Sequence, residues 1–270
     1  MDKNISVIIT LYKTPPNKLE LLKQYENYNL IIFDQDSKNN KKKISRILKK
    51  KFRYFYSKKN IGLSKSTNFL ISKVKTKFFL FTQADIEINK DSIKNLLRTI
   101  KSKKDIIFAA PVIGQYSKKN LTKKYRYSNK LNAVIMLCDL KKVKKMGFFD
   151  ENFFLYWEDV DLMERVKNSK FKMINVLNSY AKHHGGKSTI DNYKTKIVRQ
   201  TNFKYGEFVF DLKYNKLRVL KIIRTLFQGI IFIPICLIIY DKDKLINYFS
   251  KITGTIKFII FYFGKHNRRD

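Results

Sequence analysis

Residues 5–37 read ISVIITLYKTPPNKLELLKQYENYNLIIFDQDS, and the signals in this stretch decide the fold class. Its first eight residues, ISVIITLY, form a continuous run rich in β-branched side chains, which suits a strand buried on both faces. Pro15 and Pro16 then mark a turn, and residues 17–25 can form a helix. Residues 29–37, NLIIFDQDS, make a second buried strand that ends in polar residues. A buried strand, a helix and another buried strand form a crossover unit, and such units build parallel sheets.

The alternation continues down the chain. Residues 39–51 suit a basic helix, 52–57 a third strand, and 61–74 a helix that follows a turn at Asn60 and Gly62. KFFLFTQADIEI, residues 77–88, reads as a fourth strand with a polar end. Asp91 can cap a helix over 92–102, and IIFAAPV, residues 106–112, is a fifth strand. Residues 115–132 are polar, basic and Tyr-rich, as expected of a mobile loop, and residues 132–140 restore a buried strand. Residues 173–188 read as a short strand and then a His-Gly loop. The expected fold class is α/β, a mostly parallel central sheet flanked by helices. Ligands bind such sheets at the carboxyl ends of the strands, and Asp34, Asp36 and Asp85 all fall at such ends.

The chain has 270 residues and is 44% hydrophobic, enough to bury a full core. Lys and Arg number 57 against 22 Asp and Glu, a formal net charge of +35. That charge points to an anionic partner, or to a lysine-rich composition spread over every surface. Against this background, residues 147–166 (GFFDENFFLYWEDVDLMERV) stand out, because six acids fall there among Phe, Tyr and Trp. Acids inside an apolar segment suggest carboxylates held for chemistry or metal binding. Cys138 and Cys236 sit in apolar runs and give neither a disulfide framework nor a zinc site, which suits a reducing compartment. The N-terminal apolar run, residues 5–11, reads as a strand and not as a signal peptide.

Composition changes near residue 217, so the expected organisation is a catalytic domain over residues 1–210 and a basic, apolar helical tail over residues 211–270. The tail holds an apolar run over 226–240 with Pro234 inside it, and a second over 256–264 followed by Lys265, Arg268 and Arg269. Neither run reaches the ~20 apolar residues of a bilayer span. Interfacial helices flanked by cations fit better, and a pair of helices packed on the main domain or in a homo-oligomer is the alternative.

Taken together, six motifs resemble the family 2 glycosyltransferases of GT-A fold. They are SVIITLYK, FDQDS, NIGLSKSTN, FTQADIEI, GFFDENFFLYWEDVDL and HHGGKS, and the likeness covers residues 5–205. The nearest likeness is to the bacterial rhamnosyltransferase-like branch that builds cell-surface polysaccharide. The resemblance implies that Thr10, Leu11 and Tyr12 approach a nucleotide base and that Asp34 accepts the N3–H of a pyrimidine. Gln35 stands where the family has Asn. Asn60, Gly62 and Asn68 match an N-x-G-x-x-x-x-x-N element that positions loops or nucleotide. Gln83 occupies the first acidic position of the family's D-x-D and Asp85 the second, so the resemblance makes Asp85 a ligand for Mg²⁺ or Mn²⁺, with Asp85 and Glu87 as an alternative D-x-E.

GFFDENFFLYWEDVDL is the most specific match, and it implies that Asp159 is the general base, with Glu158 beside it. Asp161 and Arg165 read as structural, able to pair at i,i+4. Tyr156 and Trp157 suit either an acceptor-sugar platform or core packing. In HHGGKS the match selects His183 as a metal or diphosphate ligand, with His184 as runner-up, and Lys187, Arg199 and Lys204 add positive charge.

The implied activity is inverting transfer of a sugar from a UDP- or dTDP-sugar to a hydroxyl of a lipid-linked or polysaccharide acceptor. The implied location is the inner face of the cytoplasmic membrane. One alternative is a basic nucleic-acid-binding protein, which the +35 charge favours. Against it, no base-reading motif is present and the acidic cluster would repel phosphate. A nucleotidyltransferase lacks its Gly-rich phosphate loop here, and Gln83 leaves room for a degenerate, inactive transferase.

Overall fold

The computed structural model describes residues 2–36, 38–114, 123–185 and 188–266. Ser37, residues 115–122, Lys187, Arg268 and Arg269, singled out above, lie outside these. Two compact units emerge: Met1–Phe149 with Leu162–Ile190, and Asp150–Asp161 with Asp191–Asp270.

The first unit begins with β1 (Asp2–Leu11), α1 (Pro16–Leu19), a 3-10 turn (Glu20–Tyr25) and β2 (Tyr28–Gln35). Next come α2 (Lys41–Ile47), β3 (Arg53–Ser57), α3 (Leu63–Ser72), β4 (Phe78–Thr82), β5 (Ile86–Ile88) and α4 (Lys90–Lys101). The unit continues with β6 (Ile106–Ile113), β7 (Tyr125–Tyr127), β8 (Ile135–Asp139), α5 (Leu140–Met146) and β9 (Lys172–His183). Among the described residues the strands form one sheet in the order β3-β2-β1-β4-β8-β6-β9-β5, with β7 paired to β9. The β3-β2-β1-β4 half is parallel; β8 runs antiparallel to β4 and β6, and β5 and β7 antiparallel to β9. Alternate side chains of each strand enter opposite cores, as strand geometry requires. Val7, Ile9, Leu30 and Ile32 join one cluster, and Ile8, Ile31 and Phe33 the other.

Four expectations for this unit need correction. The fourth strand is two strands: the chain turns at Ala84 and Asp85, and β5 pairs with β9 rather than prolonging β4. The cap of α4 is Asn89, whose side chain accepts the Ser92 N–H at 2.7 Å; Asp91 lies within the first turn. The segment taken as loop contains β7, held antiparallel to β9 over Ile174–Val176. The strand after residue 172 is long, because β9 bulges between its pairings with Pro111 and Val112 of β6 and so serves two sets of partners.

Helix α6 (Glu158–Lys167) carries the chain across the boundary between the units. The second unit contains α7 (Tyr193–Lys213), α8 (Val219–Ile238) and α9 (Lys242–His266). Residue 210 falls inside α7. A capping box at Asn192 and Thr195 starts α7. Phe153, Tyr205, Phe208, Val209, Phe210 and Phe258 form the core of this unit. The 20-residue α8 is long and apolar enough, by length and composition, to cross a bilayer, which corrects the expectation that the first tail run stops short of that length.

Glycines set how closely these helices approach. A Cβ on Gly254 of α9 would lie 2.5 Å from the Thr201 carbonyl oxygen and 3.1 Å from the Tyr205 nitrogen, both fixed backbone of α7. A Cβ on Gly229 of α8 would meet only the end of the Ile252 side chain, Cδ1 at 2.0 Å and Cγ1 at 2.4 Å. Gly254→Ala should therefore cost more stability, about 1–3 kcal/mol as for an overpacked core, than Gly229→Ala, where a rotamer change relieves the clash. Urea denaturation of both variants tests the order; equal losses would show that the α7–α9 contact yields as easily as a side chain.

Candidate active site

In the first unit the polar side chains gather where β1, β2 and β4 end. Leu11 and Asp34 are partners across β1 and β2, so both strands finish level. Asp34 is fully buried. Its Oδ2 accepts the Asn40 backbone N–H at 3.1 Å, the Asn40 side-chain amide at 3.1 Å and the Tyr54 hydroxyl at 2.5 Å. Burial, then the bond to Asp34, pushes the Tyr54 phenol far above its ordinary range, so it stays a donor. Oδ1 of Asp34 receives no hydrogen bond among the described residues. A buried carboxylate with one oxygen saturated and the other bare is equipped to take a donor from a ligand.

The neighbouring polar residues shape this edge. Gln35, in the position where Asn was expected, accepts the Ile61 N–H at 3.0 Å, and Asn60 accepts the Gly62 N–H at 3.0 Å. Gly62 has φ +88, open to glycine, and its carbonyl takes the Ser66 hydroxyl at 2.6 Å. Thr10 donates to that Ser66 at 3.3 Å. Asn68 bonds both ways to the Phe149 backbone, at 2.9 and 3.2 Å, so it positions a loop. Tyr12 is half-buried, with the Lys13 ammonium 5.5 Å from its ring centre.

Asp85 sits in the turn between β4 and β5, fully buried, and neither carboxylate oxygen receives a hydrogen bond among the described residues. Nε2 of His183 lies 3.4 Å from its Oδ2, close but not aimed as a hydrogen bond. The register of β5 on β9 explains the meeting, since Ile86 pairs with His183 and the Asp85 carbonyl takes the His184 N–H at 3.1 Å. His184 turns instead to Glu87, with Nε2 2.5 Å from Oε1. Gln83 is half-buried, and its N–H extends the pairing to Val134 at 3.2 Å. No three His, Cys, Asp or Glu side chains cluster as a metal site among the described residues. A bare buried carboxylate beside an imidazole nevertheless fits a hard divalent cation whose remaining ligands are substrate oxygens and water.

The second unit holds the acidic segment. Tyr156 and Trp157 both have positive φ, +68 and +71, and lead directly into α6. Gly206 of α7 makes room for them, because a Cβ there would be 2.9 Å from Trp157 Cδ1 and 3.1 Å from the Tyr156 carbonyl oxygen. Trp157 packs on Phe203 and Phe210, with ring centres 5.6 and 5.3 Å away, and Tyr156 on Phe203 at 5.8 Å. Lys213 bridges Asp150 and Asp161 at 2.6 Å each, and the Tyr214 hydroxyl reaches Asp161 at 3.0 Å. Burial opposes ionisation of Asp150, but Lys213 and the Asn152 N–H outweigh it and hold that carboxyl below its usual range. Asp150 and Asp161 are thus structural anchors. Arg165, which like its partners belongs to the first unit, donates to the carbonyls of Met146, Gly147 and Phe148.

Glu158 and Asp159 differ in environment. Glu158 is buried and its Oε2 receives no hydrogen bond among the described residues. Burial, and then the charge of Asp159, pushes it up to about 8. Asp159 is half-buried and accepts the Val160 N–H at 2.9 Å. Burial therefore favours the protonated form of Glu158, while Asp159 is the more open carboxylate of the pair. Arg199 pairs with Asp191, and Lys204 with Glu207 at 2.7 Å.

Sequence reading missed Asn40 and Tyr54 as the holders of Asp34, Lys213 as the clamp of the acidic segment, and Gly206. Of these only Gly206 left a signal, as an isolated glycine in the helical pattern FKYGEFVF.

A family model described as glycosyl transferase family 2 matches residues 6–164. Among solved structures the chain is similar to GalNAc-T7 with UDP, GalNAc and Mn²⁺, at 13% identity and a TM-score of 0.57, over 67% of this chain and 43% of that one. It is also similar to the mannosyltransferase PcManGT from Pyrobaculum calidifontis in complex with GDP-Man and Mn²⁺, at 10% identity and a TM-score of 0.56, over 78% of this chain and 64% of that one. The chain thus spans less than two thirds of either structure's length, and the likeness shows the fold, GT-A. No curated protein matches the chain.

The state of Glu158 has a consequence for stability. Unfolded, a glutamate loses its proton near pH ~4.3, whereas the folded group holds it to about 8. Its contribution is therefore fully present below the lower value and is lost as pH rises through the higher. The melting temperature of Glu158→Gln should gain on that of the unaltered chain between about pH 5 and pH 8.5; parallel curves would mean that Glu158 is ionised in the fold.

Proposed function

The chain belongs to glycosyl transferase family 2, and from that premise we propose that it is an inverting enzyme of cell-surface glycan synthesis. It would move a sugar from a UDP- or dTDP-sugar to a hydroxyl of a lipid-linked or polysaccharide acceptor. The likeness of its motifs to the rhamnosyltransferase-like branch favours dTDP-rhamnose as donor. The observation that carries the reading is the pair of buried carboxylates with bare oxygens, Asp34 Oδ1 and both oxygens of Asp85, at the strand ends of one sheet.

In this reading Asp34 accepts the N3–H of the pyrimidine, while Thr10 and Tyr12 flank the base. Asn60, Gly62 and Asn68 keep the surrounding loops in place, and Gln83 lines the approach to Asp85. Asp85 and His183 would hold a divalent cation, Mg²⁺ or Mn²⁺, whose charge stabilises the departing diphosphate. Asp159 takes the proton of the acceptor hydroxyl as that oxygen forms its bond to the anomeric carbon. The bond from that carbon to the diphosphate oxygen breaks on the opposite face, so configuration inverts. Glu158, protonated and buried, keeps a second negative charge away from Asp159. The apolar, cation-flanked helices of the tail support a peripheral location on the inner face of the cytoplasmic membrane.

Two measurements test the reading. UDP or dTDP should raise the melting temperature, more so with Mn²⁺, and the Mn²⁺ increment should vanish in Asp85→Ala. A well-folded chain with no shift from any nucleotide would overturn the donor assignment. Asp159→Asn should leave nucleotide binding intact and lower transfer roughly 10²–10⁴-fold, whereas full transfer by that variant would remove Asp159 as base.

A further inference from the structure

The outer side of α8 carries a long run of exposed apolar side chains. Leu220, Ile223, Phe227, Ile230, Leu237 and Ile238 are all more than half exposed. The opposite side packs on α9 through small or slender groups: Thr225, Gly229 and Cys236 are buried, and Phe232 stacks on Tyr248 at 5.0 Å. Near the start of α8, Lys216, Arg218, Lys221 and Arg224 line a cavity of about 790 Å³ together with Val219 and Leu220. Lys221 is paired with Glu207 and Asp211, but no carboxylate pairs with Arg218 or Arg224 among the described residues.

By length alone α8 could cross a membrane, but its packing argues otherwise. Helix α9 follows α7 along most of its length: Asp243 pairs with Lys196, Gly254 touches Thr201, Lys257 donates to Asn202 at 2.7 Å, and Phe258 lies 5.3 Å from Phe208. A spanning α8 would draw α9, with Lys251 and Lys257, through the hydrocarbon. It would also bring the charged length of α7, from Lys194 to Lys213, against it. A second copy of the chain packed with parallel α8 helices would oppose the two Arg218 and Arg224 sets, whereas an anionic surface would meet both.

We propose that α8 lies in the plane of an anionic bilayer, its outer side in the acyl boundary and Lys216, Arg218 and Arg224 on lipid phosphates. The inference rests on the membrane-surface part of the proposed function and deepens it: the helix lies flat and selects anionic headgroups.

The test uses the full chain with phosphatidylcholine vesicles, with and without phosphatidylglycerol. Tryptophan is introduced at exposed Leu220, Phe227 or Ile238, and lipids brominated at shallow or deep positions report its depth against the Trp157 background. Expected are binding at least ten-fold tighter to the anionic vesicles and similar, shallow quenching at all three positions. Arg218→Gln with Arg224→Gln should bind anionic vesicles roughly thirty-fold more weakly, with donor-sugar hydrolysis unchanged. Depth graded along the helix to the bilayer centre would overturn the flat orientation and leave membrane association standing. Equal binding to both vesicles, or unchanged binding by the double variant, would overturn the headgroup contacts. A chain that binds neither vesicle, or forms a dimer through α8, would overturn both this inference and the membrane reading.

Discussion

Strand β4 ends at Thr82, and much of the site in the first unit follows from what the backbone does next. One further ladder bond, from the Gln83 N–H to Val134, keeps the chain beside β8; then Ala84 and Asp85 turn, and β5 pairs with β9. A straight strand would have alternated its side chains and carried Asp85 and Glu87 on together. The turn instead buries Asp85 with both oxygens bare and brings His183 to 3.4 Å, while Glu87 goes to His184. A bare buried carboxylate is expensive in a folded protein. Its retention makes sense if a bound partner completes it.

The second unit stores a comparable cost in its backbone. Two consecutive non-glycine residues at positive φ, Tyr156 and Trp157, are rare, because each crowds its own Cβ. They persist because Trp157 is wedged against Phe203 and Phe210, Gly206 leaves them room, and Lys213 ties down the acids on either side. The strained pair sets the direction in which α6 starts, and so sets the unlike surroundings of its first two residues, Glu158 and Asp159.

The α/β class was legible because hydrophobic runs of strand length recur with helical stretches between them, and burial on both faces leaves that mark in the composition. Local competition was less legible. Asn89 and Asp91 are both good caps, and only the backbone path chooses Asn89. The run from Lys77 to Ile88 contains no glycine or proline to announce a turn, so its division into β4 and β5 depends on β9, a strand some ninety residues away. The short β7 was hidden for the same reason, since its partner β9 lies far along the chain. In the candidate site the motif acids could be named from sequence, whereas Asn40, Tyr54 and Lys213, which hold them, belong to no local pattern.

Charge explains why those acids can be singled out at all. With 57 cationic side chains against 22 acids, at least ten of the acids find a lysine or arginine partner among the described residues. Asp139, Asp150, Asp161, Glu207 and Asp211 all do, at 2.6 to 3.0 Å. Asp34, Asp85 and Glu158 are buried without a lysine or arginine partner among the described residues, in a protein that has cations in excess. Such an arrangement is not produced by scarcity. A lysine reaching Asp34 or Asp85 would satisfy the bare oxygens and occupy the space that the proposed nucleotide donor or cation would take. One reaching Glu158 would draw off its proton and place a second negative charge beside Asp159. The missing cation partner is therefore as much a part of these sites as the carboxylates themselves, and it separates them from acids that only hold helices together.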